Sequence, residues 1–457
     1  MDPLIKQILH LNCVDLSYEG RGFCRDLNDN VILVNYLFPG EEALVEVDYK
    51  RAGLYYGHIK KLEKESPERI KPLCPFSFRC GGCEFQSLSY KSQLAFKSKL
   101  VKDQLKKIAH LDVDVKETIG MDDPYYYRNK IQMPFALDKD GHVVYGFYKE
   151  GSHEVVPISN CVIEDKRANL IIGEIKTAMD ELGVLPYDET TRKGYIRHAI
   201  VRTSYVYKEV MLILVSAKEG FPEQDALLQK IVSNCPELTS IYLNVNSSFG
   251  SKIMGEKNIL LYGESHIKDS LCGLDFIISP SSFYQTNPVM TSILYQKAME
   301  GASLKKDDVV LDAYSGTGTI GLVAAKYVSK VIGVEINHDA VTDALANAKA
   351  NKIDNYEAYV DDASNFIERM AKEGKRLDVV FMDPPRKGSD ERFLSSLLKM
   401  KPDRIVYISC NPLSLARDLA FIKDAYDIED VQPVDLFPET GHVETVCELS
   451  LRNADKH

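Results

Sequence analysis

The feature that most constrains this chain is an alternation of apolar, strand-like runs with helix-length stretches, which begins near residue 305. "DVVLDAY", "VIGVEI", "LDVVFMD" and "RIVYISC" are each separated from the next by enough residues for one helix. Strands that alternate with helices pair in parallel, and the crossovers cover both faces of the sheet. The pattern predicts a doubly wound, Rossmann-like domain over residues 276–457. Ligands of such sheets bind in the crevice beyond the carboxyl ends of the strands.

That edge carries a cofactor signal. "VVLDAYSGTGTIGLVAAK" puts Gly316, Gly318 and Gly321 directly after a strand and at the start of a helix. Glu335 ends the next strand, where a carboxylate hydrogen-bonds ribose hydroxyls. A nucleoside cofactor is expected, although the glycines alone leave NAD and S-adenosylmethionine open. Three features favour the latter. Asp312 and Tyr314 flank the strand tip, where an acid can meet the amino-acid end of the cofactor. Asp362 falls where the third strand should end, suited to the adenine amino group. Asp383-Pro384-Pro385 closes the fourth strand with a lip that lacks backbone donors and is held rigid.

Cys410 stands at the end of "YISC". A lone cysteine there can be a small buried hydrophobe. Beside Asp312, Glu335 and Asp383 at a methyl donor it has a more specific use. A thiolate that adds to carbon-6 of a pyrimidine makes carbon-5 nucleophilic, and a base must then remove the carbon-5 proton so that the sulfur can leave. "FPETGHVETVCEL" offers His442 and Glu444 as bases, although Glu444 also reads as an ordinary surface carboxylate.

At 457 residues the chain needs more than one core. Residues 1–62 alternate short β-rich runs with turns and predict a small, OB-like barrel. Tyr36, Phe38, Tyr49, Tyr55 and Tyr56 interleave there with Lys50, Arg51, Lys60 and Lys61, a combination that can stack bases and track phosphates. A purely structural barrel is the alternative. Residues 63–275 read as a central α+β domain of underivable topology. It contains the loop "KPLCPFSFRCGGCEFQ" and an amphipathic helix near 93–110, expected to pack on the C-terminal domain. The formal net charge of −11 argues against nucleic acid, but Lys50–His110 carries fourteen Lys/Arg against five Asp/Glu, a local +9. A local basic surface suffices for phosphate contacts; a solvated helix face explains the same lysines. The ten cysteines form no secreted disulfide framework, and three of them cluster. No run is long enough to span a bilayer and no leader pattern opens the chain. A cytoplasmic monomer is expected, with no membrane partner.

The motifs "SFYQTNP", "DAYSGTGTIG", "GVEIN", "DPPRKG", "YISCNP" and "GHVETV" together resemble the RNA 5-methyluridine methyltransferases, S-adenosylmethionine-dependent uracil-5-methyltransferases. The resemblance implies Gln285, Tyr314, Glu335 and Asp383 as cofactor contacts, Cys410 as the nucleophile and Glu444 as the base. The N-terminal barrel resembles a TRAM domain, an RNA-binding module. "CPFSFRCGGC" with "PISNCVIED" resembles the iron-sulfur site of the 23S ribosomal RNA branch, which implies Cys74, Cys80, Cys83 and Cys161 as ligands. By spacing alone, Cys-x5-Cys-x2-Cys plus one distant cysteine holds either a [4Fe-4S] cluster or zinc; the absence of two Cys-x2-Cys knuckles favours the cluster. The expected substrate is 23S ribosomal RNA, with transfer RNA as the alternative. An NAD-dependent iron-sulfur oxidoreductase and a non-catalytic RNA-binding protein are the rivals from other classes.

Overall fold

Five short strands close the first layer into a barrel. In the computed structural model, which describes residues 2–452 apart from 150, 151, 153, 249 and 251, β1 (Ile8–Leu16), β2 (Gly22–Arg25), β3 (Val31–Val34), β4 (Glu42–Arg51) and β5 (Leu54–Lys64) pair in the order β1-β2-β3-β5-β4. Alternate residues such as Leu11 and Cys13 on β1, and Ala43, Val45 and Val47 on β4, fill the interior. Of the aromatics expected to stack bases, Tyr55 belongs to this core instead, its hydroxyl donating to Asp2 at 3.0 Å, and Phe38 is buried against Phe85 and the helix that follows the barrel, in the cluster of the C-terminal sheet. Tyr49 and Tyr56 do stack outside, with ring centroids 4.8 Å apart. The basic band is also less free than its count implies. Lys60 pairs with Glu46, Lys64 with Glu42 and Lys99 with Asp15, all across or onto the acidic barrel.

Helix α1 (Tyr90–Ile108) starts on Ser89, whose hydroxyl accepts from the Ser92 N–H at 3.3 Å. Its buried face mixes Phe96, Leu100, Val101 and Leu105 with Gln93 and Lys97.

The central layer is a seven-stranded sheet. Its elements are β6 (Lys130–Leu137), β7 (Val143–Tyr148), β8 (Val155–Pro157), α2 (Lys166–Leu182), β9 (Ile196–Thr203), β10 (Val210–Ser216), α3 (Gln224–Asn234), β11 (Leu238–Val245) and β12 (Lys257–Gly263), with strand order β12-β11-β10-β9-β6-β7-β8. Both β9 and β10 are buried along their whole length because both faces are covered. Ala199, Val201, Leu212 and Leu214 pack with α2, while Ile200, Met211, Ile213 and Val215 pack toward the C-terminal layer. A hairpin, β13 (Ile267–Leu271) and β14 (Leu274–Ile278), leads into that layer.

The last layer is α4 (Pro288–Ala302), β15 (Val309–Ala313), α5 (Thr319–Ala325), β16 (Lys330–Glu335), α6 (His338–Ala350), β17 (Tyr356–Val360), α7 (Ala363–Lys372), β18 (Val379–Met382), α8 (Glu391–Met400), β19 (Arg404–Ser409), α9 (Pro412–Ile422), β20 (Tyr426–Val434) and β21 (Glu444–Leu451). The sheet runs β17-β16-β15-β18-β19-β21-β20, doubly wound about β15. Five strands are parallel as the alternation predicts; β21 runs antiparallel to β19, and β20 antiparallel to β21. Gly321 is needed for the close approach of α5 to β15, since a Cβ there would lie 2.7 Å from Asp312 Oδ2. Helix α1 packs against α9, joining the apolar cluster of this sheet. Among the described residues no helix is long and apolar enough to cross a membrane.

Candidate active site

Strand register explains why Cys410 and Glu444 meet. The antiparallel ladder of β19 and β21 ends with Ser409 opposite Thr445, so the pair that continues it is Cys410 and Glu444. Opposed residues in such a ladder have Cα atoms about 4.5–5.5 Å apart. Parallel pairing aligns Met382 with Tyr407 and Ala313 with Met382, which brings Asp383 and Tyr314 to the same edge.

This edge is largely buried and crowded with acid. The Cys410 thiol is pushed up to about 12, first by burial and then by the Glu444 and Asp383 carboxylates, while Arg386 opposes them. Burial also drives the Glu444 carboxyl well above the ordinary range, with Asp383 adding to the effect and Arg386 again opposing. Asp383 itself is raised to about 7 by burial.

Arg386, of "DPPRKG", reaches the same edge, a placement that spacing alone does not give. Its Nη2 donates to His442 Nδ1 at 2.8 Å, and its carbonyl oxygen accepts from Asn411 Nδ2 at 2.9 Å. Desolvation and the Arg386 charge hold His442 down at about 4, so the imidazole is neutral and its Nδ1 is the acceptor.

The residues expected at the cofactor divide into two groups. Glu335 accepts from the Gly316 N–H at 3.2 Å and the Asn337 N–H at 2.8 Å, across a turn in which Gly316 and Gly318 take φ of +54° and +79°. The buried Tyr295 hydroxyl of α4 lies among Gln285, Asp383 and Asp312, and its ionisation is suppressed mainly by burial. Tyr314 donates to Ser389 Oγ at 3.2 Å. Asp312 is buried behind the turn: one oxygen accepts from the Gly321 N–H at 2.8 Å, and burial raises the carboxyl to about 7. Asp362 caps α7, accepting from the Ser364 and Asn365 N–H groups at 3.0 and 3.1 Å. Both therefore have a structural duty that sequence reasoning did not assign.

A cleft of about 650 Å³ opens over Cys410 and His442. Its other walls come from far away in sequence: Tyr18, Arg21 and Tyr36 of the barrel, and Cys80 and Glu84 of the cysteine loop. No local signal could have placed them there, because only tertiary packing does. The four cysteines are neighbours. Cys80 senses Cys74, Cys83 senses Cys80, and Cys161 senses both Cys83 and Cys80. Burial keeps the Cys80, Cys83 and Cys161 thiols protonated. Among the described residues no three potential ligands stand at metal-binding spacing.

A doubly wound sheet with a glycine turn after β15 and acids at successive strand ends is a nucleoside-cofactor fold, and the chain's relatives make it the fold of S-adenosylmethionine-dependent methyltransferases. The tRNA (uracil-5-)-methyltransferase family matches residues 89–452. An uncharacterized RNA methyltransferase of Oceanobacillus iheyensis is 40% identical over 98% of this chain and 97% of its own. One from Clostridium tetani is 39% identical over 96% of this chain and 95% of its own. The crystal structure of the Pyrococcus abyssi tRNA (uracil-54, C5)-methyltransferase with S-adenosyl-L-homocysteine has a TM-score of 0.77 at 28% identity, covering 96% of this chain and 100% of that one. The chain belongs to the tRNA (uracil-5-)-methyltransferase family and is an S-adenosylmethionine-dependent RNA methyltransferase of the uracil-5 type. That assignment resolves the choice of cofactor the glycines left open.

Proposed function

We propose that this enzyme methylates carbon-5 of uridine in 23S ribosomal RNA, with Cys410 as the nucleophile and Glu444 as the base. The observation that carries the reading is the opposition of these two residues at the end of the β19–β21 ladder. Bound S-adenosylmethionine supplies the methyl group, and Gln285, Tyr314, Glu335 and Asp383 are the contacts we assign to it, with the Gly316–Gly318 turn, Asp312 and Asp362 supporting that edge. The Cys410 thiol gives its proton to solvent and its sulfur bonds to uracil carbon-6; the ring becomes an enolate whose carbon-5 takes the methyl group, leaving S-adenosylhomocysteine. Glu444 then accepts the carbon-5 proton, the carbon-5 to carbon-6 double bond re-forms and the sulfur is expelled. The target base must leave its stack to enter the cleft, at a cost of a few kcal/mol.

Because the resting thiol is pushed up to about 12, Cys410 must lose a proton before it can add. Adduct formation is therefore expected to climb about tenfold per pH unit between about pH 6 and about pH 9, and to be lost as pH falls. Rapid-quench trapping on RNA carrying 5-fluorouridine measures it; a flat profile contradicts a protonated resting thiol.

We assign residues 1–62 as a TRAM-like RNA-binding barrel, 63–275 as the central domain and 276–457 as the methyltransferase domain. The barrel wall of the cleft supports an RNA role for the first. For Cys74, Cys80, Cys83 and Cys161 we propose a [4Fe-4S] cluster with a structural role. Support comes from the donor set, four neighbouring thiols, of which Cys80, Cys83 and Cys161 are held from ionising by burial without a bound cation. Anaerobically purified protein is expected to contain about four irons per chain with broad absorbance in the blue, and Cys83→Ser to lose both. Stoichiometric zinc without iron decides for the other metal.

Transfer RNA is the second reading, favoured by the likeness to the Pyrococcus abyssi enzyme. Methylation of in vitro 23S ribosomal and transfer RNA transcripts, with the modified uridine mapped, separates the two. Activity confined to transfer RNA overturns the first.

A further inference from the structure

Three residues on one face of α1 take no part in the reaction as described, yet they are turned inward. Tyr90, Gln93 and Lys97 follow each other at spacings of three and four, which places them in one row. The row faces the segment Asp435–His442. Lys97 is fully buried; its Nζ donates to Asp435 Oδ1 at 2.6 Å and to the Phe437 carbonyl oxygen at 3.1 Å. The Tyr90 hydroxyl donates to the other Asp435 oxygen at 3.0 Å. Gln93 Oε1 accepts the Glu439 N–H at 3.0 Å, and its Nε2 donates to the Glu439 carboxyl at 3.3 Å.

Burying a lysine is costly unless its charge is met, and an apolar side chain of that length would fill the same space. The polar choice is explained if it holds something. What it holds is the Asp435 carboxylate and the backbone that follows it, and other groups reinforce the grip. The Tyr127 hydroxyl donates to the Pro438 carbonyl oxygen at 3.0 Å, the Phe85 N–H to that of Glu439 at 3.0 Å, and the Gly441 N–H to Glu84 at 3.1 Å. Glu439 sits at φ +69°, a conformation that a residue with a side chain rarely adopts unless its surroundings impose it. The segment so held ends at His442, and Glu444 begins β21 two residues later.

We propose that Tyr90, Gln93 and Lys97 are positioning residues for the second half of the reaction, fixing the Asp435–His442 segment so that Glu444 meets the carbon-5 proton. None of them touches the reacting atoms. The proposal rests on the reading of Cys410 and Glu444 given above. The step they serve is the transfer of the carbon-5 proton to the Glu444 carboxylate, in which the electrons of the broken C–H bond re-form the ring double bond and release the Cys410 sulfur.

The test compares wild type, Lys97→Met, Gln93→Met and Tyr90→Phe on the RNA transcript that wild type methylates, and on the same transcript made with 5-fluorouridine. A base cannot remove fluorine from carbon-5 as it removes a proton, so that substrate reports adduct formation alone. Lys97→Met is expected to form the fluorinated adduct within about twofold of the wild-type rate. On ordinary RNA it is expected to release product about 10²-fold more slowly and to show a protein–RNA band on a denaturing gel. Tyr90→Phe and Gln93→Met are expected to slow the same step less. A scaffold without this role would slow both steps alike, and that result, or release at the wild-type rate, overturns the proposal. If Lys97→Met does not fold, the two milder variants decide by the same criterion. Glu444→Gln run alongside separates the layers of argument. No adduct there overturns the base assignment and this proposal with it, whereas an adduct there with normal release in the α1 variants overturns the positioning role alone.

Discussion

Replacing Cys410 with serine is expected to reduce methylation by about four orders of magnitude or more, while S-adenosylmethionine binds nearly as it does to the wild type. A hydroxyl at this position is a far weaker nucleophile toward carbon-6 than a thiolate, and the burial that already resists ionisation of the thiol at Cys410 resists that of an alcohol more strongly. The cofactor contacts we assign lie at the ends of β15, β16 and β18 and in the segment before α4, so the change leaves them in place. Radiolabelled methyl transfer and calorimetry with S-adenosylmethionine read the two quantities separately. Wild-type turnover in the variant sinks the nucleophile assignment. Loss of cofactor binding in parallel with activity assigns the cysteine to the binding site instead.

The second large effect is expected at Glu444. Glu444→Gln keeps the size and the hydrogen-bonding shape but removes the proton acceptor, so turnover is expected to fall by about 10²- to 10⁴-fold. The intermediate has already been methylated when the base is needed, and it accumulates as a covalent protein–RNA species through Cys410. A denaturing gel with labelled RNA detects it, and Cys410→Ser in the same background is expected to abolish the band. Clean release of methylated RNA with no adduct removes Glu444 from the base role. Replacing Glu444 also takes one of two neighbouring carboxyls out of the pocket. The Cys410 thiol is then expected to ionise more easily, and trapping on 5-fluorouridine RNA to be faster than in the wild type at the same pH.

What could be read from the chain depended on whether the information was local. The strand–helix alternation after residue 305 is local, and so is the glycine turn; both appear where they were expected. The opposition of Cys410 and Glu444 was not legible in that way. It follows from β21 running antiparallel to β19, and one residue of slip would turn Glu444 to the other face. Tyr55 lies inside the barrel and Phe38 under α1, and composition does not distinguish either place from an exposed barrel face. Lys97 was counted as part of a basic surface, and a charge count cannot see that it lies one helical turn from Gln93 on the buried side. Among the barrel residues lining the cleft Tyr36 carries a signal as a base-stacking aromatic, but nothing local places it or Tyr18 and Arg21 beside Cys410, since those neighbours are hundreds of positions away.

The pairing of α1 with the far end of the chain bears on the order of synthesis. Lys97 and Asp435 are 338 positions apart. The segment after α1 also adds to the last sheet: the Lys116 N–H donates to the Val431 carbonyl oxygen, and Ile119 bridges to Val434. A lysine made early must therefore wait, solvated, until the final strands leave the ribosome before it can be buried. Contacts that close so long a loop form late and slowly. The catalytic sheet is not completed by its own stretch of sequence, and a fragment beginning at residue 276 lacks the strand-like edge and the helix that finish it. Damage to α1 or to the last strands is thus felt at the same place, the short segment that ends beside Glu444.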